Sequence, residues 1–325
     1  MEARLDNASA DAPRQRRVGG CSHTARIRGW RRLDGLLPFR QSVETDCCSG
    51  RFARWHRSVS IGKVRIMGLN SGIEWTDATW NPTTGCRRVS AGCDHCYAAT
   101  LARRLKAMGN PRYQEDGPDG EGFGLTLHWD KLEEPYHWRR PRRVFVNSMS
   151  DLFHPAIPND FLSRSFTVML NCPQHQFQIL TKRPARMAAV VPGLIDRIGR
   201  LPPNVWLGTS VESKEHLARV ASLQATPAVI RFLSLEPLLG PMPDINLDGL
   251  HWVIVGGESG PGHRPMEASW VRNIRDQCRN AGVPFFFKQW GGRTPKARGR
   301  MLDGRTWDEF PVDATRPLPD SAQAV

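Results

Sequence analysis

Six short β-rich runs recur along the chain and fix what it can fold into: Arg143–Ser148, Gln176–Thr181, Val205–Thr209, Val229–Leu235, His251–Gly256 and Val283–Lys288. Their starts lie 22 to 33 residues apart, room for a strand and a crossover helix. The stretches between them carry helical periodicity. Asn159–Leu170 places Leu162, Phe166, Met169 and Leu170 on one face, Ser213–Gln224 carries Leu217, Val220 and Ala221, and Ser269–Ala281 carries Val271, Ile274, Cys278 and Ala281, closed by Gly282. Pro184 sits where a helix accepts proline in its first turn. Strands alternating with helices mean a parallel sheet. With one more strand near residues 74–84 feeding the next loop, about seven units are expected. The fold class is therefore α/β, a (β/α) TIM-like barrel, full or partial, with a cysteine-rich loop after the first strand. The runner-up is an open doubly wound sheet, but no G-x-G-x-x-G follows the first strand.

Each run ends in polar residues: Asn147, Ser148 and Asp151; Thr181, Lys182 and Arg183; Thr209, Ser210 and Glu212; Ser234 and Glu236; Gly256, Gly257 and Glu258; Lys288 and Gln289. In (β/α) barrels these ends line the active site. Asp151, Lys182 and Glu236 are the candidate catalytic residues; Ser148, Glu212, Gly256, Gly257, Glu258 and Lys288 are the candidate cofactor-binding ones. Each has a plainer reading. Asp151 can cap the next helix. Lys182 and Arg183 either bind phosphate or carboxylate or form a solvated helix start. Glu212 and Glu236 either position a ribose or amino group or form buried ion pairs with Arg183 or Lys288. Gly256-Gly257 either bring backbone close to a ligand or make a tight turn. Lys288 ends an apolar strand and needs a partner if buried. Trp75, Trp80 and Trp290 read as core or rim.

Three of the eight cysteines, Cys86, Cys93 and Cys96, fall within eleven residues as C-x6-C-x2-C. Structural zinc needs four ligands, which asks for His95 or a distant His or Cys as the fourth. A [4Fe–4S] cluster held by three thiolates leaves one iron open to substrate or cofactor. Iron–sulfur, zinc and unligated thiols are the three readings, with the cluster favoured. Cys172 and Cys278 stand alone among apolar residues, and no signal peptide is evident, so a reducing cytoplasm is expected.

Net charge is +13, unevenly placed. Residues 1–66 hold 14 Lys+Arg against 6 Asp+Glu, a net +8, leaving +5 for the rest. That first stretch is rich in Arg, Gly and Ser with little periodicity, and is expected as a disordered basic extension, with a nucleic-acid-binding arm as the sharper option and translation starting at Met67 as a third. The barrel domain is expected over 67–292 and a polar tail over 293–325. Residues 110–141 read as an irregular insertion over one face. After Cys96, Ala98, Leu101, Ala102, Leu105 and Met108 predict a helix stopped at Gly109. No apolar run is long enough to span a membrane. No G-x-S-x-G and no G-x4-G-K-[ST] is present, which argues against hydrolase and triphosphatase readings.

A cysteine loop between the first strand and first helix of a parallel α/β barrel resembles the radical S-adenosylmethionine superfamily. That resemblance implies an open iron that chelates the amino and carboxylate groups of S-adenosylmethionine, and an electron donor such as a flavodoxin or ferredoxin. The superfamily's usual spacing is C-x3-C-x2-C with an aromatic residue before the last cysteine; here the gap is six and His95 holds that place. Its G-G-E follows the second strand, whereas Gly256-Gly257-Glu258 follows a later one. The motifs I-E-W-T-D-A-T-W-N-P, G-C-x6-C-x2-C-Y-A, F-V-N-S-M-S-D-L-F, L-T-K-R-P, W-L-G-T-S-V-E, R-F-L-S-L-E-P-L-L-G, W-V-I-V-G-G-E-S-G and F-F-K-Q-W-G, in order from Ile73 to Gly291, resemble a phage-associated three-cysteine-motif family, the phage gene product thirty-seven family. The two resemblances together imply an iron–sulfur enzyme acting on an unknown substrate, with nucleic acid or nucleotide as a guess and a phage-encoded protein as a possible partner. The alternative is a non-catalytic zinc- or cluster-bearing protein that binds nucleic acid or a partner.

Overall fold

Strands and helices alternate in the computed structural model as the periodicity predicts. It describes residues 71–312. The basic stretch 1–66 and residues 313–325 lie outside the described residues. Seven strands form one sheet: β1 (Ala78–Trp80), β4 (Arg143–Val146), β5 (Gln176–Thr181), β6 (Val205–Ser210), β7 (Ile230–Leu235), β8 (Trp252–Gly256) and β9 (Phe285–Gln289). All six pairings are parallel, and their order in space is their order in the chain. The short strands β2 (Thr83–Thr84) and β3 (Thr126–Leu127) make a separate antiparallel pair that anchors the 110–141 insertion. Helices α1 (Tyr97–Ala107), α2 (Asn159–Leu170), α3 (Pro184–Ile198), α4 (Ala218–Gln224) and α5 (Ala268–Asn280) fill five of the six connections, and β7 runs to β8 through a segment without a helix.

One face of the sheet is apolar because helices cover it. Val144, Val146, Phe177, Ile179, Leu207, Leu233, Val253, Val255, Phe285 and Phe287 pack there against Phe161, Phe166, Met187, Val191, Val220, Val271 and Ile274 of α2 to α5. A parallel sheet covered this way carries near-continuous hydrophobic strands, as seen. The other face is an aromatic layer: Trp75, Phe145, Trp206, Phe232, Trp252 and Phe286. That layer shows the sheet is curled. β4 and β8 stand four strand spacings apart, about 19 Å in a flat sheet. Yet the Trp75 ring lies 4.8 Å from Phe145 of β4 and 6.2 Å from Trp252 of β8, centroid to centroid. Only a sheet folded around Trp75 brings both within reach. Gly208 is needed on this face: a Cβ there would fall 2.5 Å from the Phe232 ring.

The curl stops short of closure. β1 and β9 do not pair among the described residues, so the structure is a half-barrel. The free edge of β9 is covered by the returning chain, with an antiparallel bridge between Phe286 and Asp308 and a bond from Phe287 N to Trp307 O at 2.9 Å. This manages an exposed strand edge. Leu302 and Trp307 are buried, and Phe310 stacks on Trp252 at 4.9 Å. No periodicity in 293–312 predicts that packing; it comes from single large side chains. In α1, Ala98, Ala102 and Leu105 are buried as expected, but Met108 is exposed, because it falls at the helix end where the chain turns at Gly109.

Candidate functional site

The polar strand ends converge on one cavity of about 470 Å³. Its lining includes all three clustered cysteines, Cys86, Cys93 and Cys96, together with Ser148, Asp151, Lys182, Glu236, Gly257, Glu258 and Lys288. The cysteine loop runs from the end of β2 to the start of α1, so its thiols come to the strand-end side of the sheet. All three thiols are free.

What holds this loop in place is a set of carboxylates from three strand ends. Asp151, after β4, accepts from Thr181 Oγ1 at 2.7 Å, Phe153 N at 2.9 Å, Lys182 N at 3.2 Å and Arg183 NH1 at 2.8 Å. Arg183 in turn donates to the Arg87 carbonyl at 2.7 Å and reaches Cys86 Sγ at 3.5 Å. Glu212, after β6, is fully buried; it accepts from Ser90 Oγ, from Gly92 N at 3.3 Å and from Arg219 NH1 at 2.7 Å. Glu258, after β8, lies 2.9 Å from His95 Nδ1 and accepts three bonds from Arg264, whose own NH2 donates to the Ala91 carbonyl at 2.9 Å. The loop residues Arg87, Ser90, Ala91, Gly92 and His95 are thereby tied to β4, β6 and β8. Four of the six residues between Cys86 and Cys93 (Arg87, Ser90, Ala91 and Gly92) take part in these ties. Gly92 is fitted to it, since a Cβ there would lie 2.8 Å from Glu212 Oε1.

The electrostatics follow from these pairings. Burial alone would raise the Glu258 carboxyl, but hydrogen bonds from Arg264 and His95 overcome it and hold the group down to about 2. Burial likewise works against ionised Glu212, while the charge of Lys182 and the bonds from Ser90 and Arg219 keep it below the usual range. Burial and the Asp151 charge push the Cys86 thiol up to about 11, against the pull of Arg183. The Tyr97 hydroxyl is raised, chiefly by burial; it donates to the Ser148 carbonyl at 2.5 Å while the ring stays half exposed.

Glu236 and Lys288 pair with each other, Nζ to Oε1 at 2.6 Å, and both keep partial exposure to the cavity. Lys182 lines the same cavity, and among the described residues no carboxylate stands within ion-pair distance of its ammonium. Ser148 Oγ donates to Asn81 Oδ1 at 3.2 Å. Gly256 and Gly257 are packing glycines: a Cβ on Gly257 would lie 2.1 Å from the Trp290 carbonyl, and one on Gly256 would lie 3.1 Å from Glu236 Cδ. The close approach that glycine permits here is therefore to the chain itself.

Ser90, Gly92, Arg219 and Arg264 complete the site, and no motif singles them out. Arg219 and Arg264 follow their carboxylates by seven and six residues, which is the available hint. Trp75 and Gln289 also line the cavity. In donor type the three thiols suit either a zinc ion or an iron–sulfur cluster. As placed here, no three His, Cys, Asp or Glu side chains among the described residues are gathered closely enough to hold a metal ion. No helix among the described residues is long and apolar enough to cross a membrane.

The chain is similar to solved structures of spore photoproduct lyase. One is complexed with dinucleoside spore photoproduct, with TM-score 0.40, 12% identity, and coverage of 66% of this chain and 64% of that one. Another is a singly substituted form, with TM-score 0.39, 11% identity and the same coverage. The chain thus spans a little under two thirds of the length of those lyases. No curated protein matches it. A family profile matches residues 70–311, nearly the whole described region, and on that match the chain belongs to DUF5131, a family described as a protein of unknown function.

Proposed function

We propose that this chain is an iron–sulfur enzyme of the radical S-adenosylmethionine type. Cys86, Cys93 and Cys96 would hold a [4Fe–4S] cluster at the mouth of the half-barrel. The observation that supports this best is the seating of the cysteine loop: three cysteines lining a large strand-end cavity, in a loop fastened by Asp151, Glu212 and Glu258 from three separate strands. A loop that merely stapled the fold would need no such opening onto a polar chamber. When bound, a cluster of this kind supplies a single electron at an iron that three cysteines leave open.

The chain's own residues take the remaining roles. Asp151 has its acceptor positions filled by Thr181, Phe153, Lys182 and Arg183, so it orients Arg183 and the loop rather than moving a proton. Lys182 is the cation available to an anionic group, phosphate or carboxylate, of a bound molecule. Glu236 and Lys288, exposed to the chamber as a pair, can exchange their mutual bond for bonds to a ligand hydroxyl or amino group. The buried carboxylate of Glu258 fixes His95 and Arg264. An electron donor such as a flavodoxin or ferredoxin is implied by this chemistry.

A zinc reading has one observation in its favour. His95, between Cys93 and Cys96, has Nδ1 on the Glu258 carboxylate, the orienting contact that metal-ligating histidines make with their other ring nitrogen. Anaerobic purification followed by iron, sulfide and zinc analysis separates the two. The cluster reading expects about four iron and four sulfide per chain, lost when Cys86, Cys93 and Cys96 are changed together to Ser, and 5′-deoxyadenosine on adding dithionite with S-adenosylmethionine. One zinc per chain, reduced in His95→Ala, with no 5′-deoxyadenosine, would sink it.

A further inference from the structure

The floor of the chamber carries polar atoms that the protein leaves unanswered. Trp75 is 3% exposed and lines the cavity, and its Nε1 hydrogen finds no acceptor among the described residues. Gln289, 5% exposed, lines it from the end of β9; its Nε2 donates to Ser259 Oγ at 2.9 Å while its Oε1 accepts from no group among the described residues. A buried donor and a buried acceptor without partners among the described residues, on two side chains that line one cavity, need a reason. Elsewhere in the same chamber Asp151 and Glu258 are bonded several times over.

The surroundings of the two atoms say what suits them. Trp75 belongs to the aromatic layer inside the curl, and Phe145 and Leu180 join it in lining the cavity. Apolar and aromatic walls accept a flat ring. The indole N–H and the amide carbonyl lie buried beside those walls, and a small turn of either side chain would offer them to a ring that carries both an acceptor and a donor. Lys288, next to Gln289, forms with Glu236 a partly exposed pair suited to sugar hydroxyls. Lys182, whose ammonium has no carboxylate within ion-pair distance among the described residues and feels Glu212 only at longer range, supplies a cation for a phosphate. The volume, about 470 Å³, falls in the range of small-molecule sites.

We infer that the chamber floor binds the base of a nucleoside or nucleotide as the substrate-side ligand, with Trp75 Nε1 donating to it and Gln289 Oε1 accepting from it. This deepens the function proposed above and rests on it for taking the cavity as the reaction chamber. The binding itself does not require a loaded metal site.

The test is calorimetric titration of the full chain with uridine, thymidine, adenosine and their 5′-monophosphates. A phenyl riboside, which keeps ring and sugar but lacks the base's polar atoms, serves as comparison. At least one nucleoside is expected to saturate a single site. Trp75→Phe and Gln289→Met should each weaken it about tenfold, the scale of one buried hydrogen bond, while the phenyl riboside binds weakly and alike to all three proteins. The 5′-phosphate should tighten binding in the wild type and not in Lys182→Met. Thermal melts establish that the variants are folded; should one fail, the other probes a separate atom. Absence of saturable nucleoside binding, or unchanged affinity in both folded variants, overturns the inference. One-for-one displacement of the nucleoside by S-adenosylmethionine also overturns it, since the floor would then hold the cofactor's own nucleoside. Nucleoside binding that persists in a chain found to carry zinc sinks the radical reading alone; a full iron and sulfide complement without nucleoside binding sinks this inference alone.

Discussion

The cysteine loop and the chamber floor lie on one cavity and treat their polar atoms in opposite ways. In the loop, Ser90, Gly92, His95 and the Ala91 carbonyl are each bonded to a side chain from a distant strand end. Asp151, Glu212 and Glu258 each have an arginine. On the floor, Trp75 Nε1 and Gln289 Oε1 are buried without partners among the described residues, and one layer down the same holds for both amide atoms of Gln178. A buried polar group without a partner costs about 1–3 kcal/mol. The loop is thus a part the protein holds rigid by itself. The floor is a part whose polar groups the fold buries without answering.

The largest effect that would break this comparison is at Glu212. Its side chain is wholly buried against Arg219, which is 13% exposed. Glu212→Ala leaves a nearly buried guanidinium uncompensated and also frees Ser90 and Gly92 N. Removing one partner of a buried pair costs about 3–5 kcal/mol. For a domain of this size that lowers the melting temperature by roughly 10 °C or more. Glu236→Ala orphans Lys288, 16% exposed but bordering the open cavity, and frees no loop hydrogen bond, so it should cost less, about 1–3 kcal/mol. Equal melting points for the two variants would show that the loop is not held as described.

Gly92→Ala comes next. The added methyl meets a Glu212 carboxylate that Arg219 and Ser90 prevent from swinging aside. Such overpacking costs about 1–3 kcal/mol, and the displaced loop should take up less iron in anaerobic reconstitution. Full iron content with an unchanged melt would mean that the contact is slack.

The six β-rich runs and their spacing made the sheet legible. The strand Gln176–Thr181 and the helix Asn159–Leu170 stand where their patterns place them, and Pro184 opens α3. The polar strand ends likewise marked the cavity, because a parallel curled sheet brings consecutive strand ends together whatever the helices between them do. Two things were not legible. The pairing of Glu212 with Ser90 spans 122 residues and that of Glu258 with His95 spans 163, and no local period encodes such a choice of partner. The anchoring of residues 302–310 rests on Leu302, Trp307 and Phe310 scattered among Gly and charged residues, so it has the sequence appearance of a tail. Gln178 did carry a signal: an amide inside Q-F-Q-I-L-T, at a position that a strand surrounded by apolar neighbours must bury.

Acid offers a finer probe of the loop. The Glu258 carboxyl is held at about 2 in the folded chain, against about 4.3 for an unperturbed glutamate. A depressed acid stabilises the fold above its unfolded value, and that contribution fades as pH falls from about 4.3 through about 2. Amide exchange in residues 90–96 should therefore quicken over that window in the wild type and show no such step in Glu258→Gln. A step of the same size in both would assign the acid response to another carboxylate.

The smallest expected effect has the opposite sign, and it bears on the floor. Gln178 is fully buried on the inner face of β5, in register with Phe145 and Trp206, and both of its amide atoms lack partners among the described residues. Leucine at this position has a similar volume and no polar atom. Gln178→Leu should therefore raise stability, by about 1 kcal/mol, since it removes an unanswered amide and adds apolar contact to an aromatic layer. Thermal unfolding without added ligand reads this directly. A loss of stability would mean that the amide is satisfied in the folded protein, and the contrast between a self-bonded loop and an unanswered floor would then fail at its deepest residue. A gain, set against the large loss in Glu212→Ala at equal burial, would show that the protein gives up stability on the floor and keeps it in the loop. That is the division expected of a site that grips its cysteine loop by itself and leaves its floor to be completed by whatever binds there.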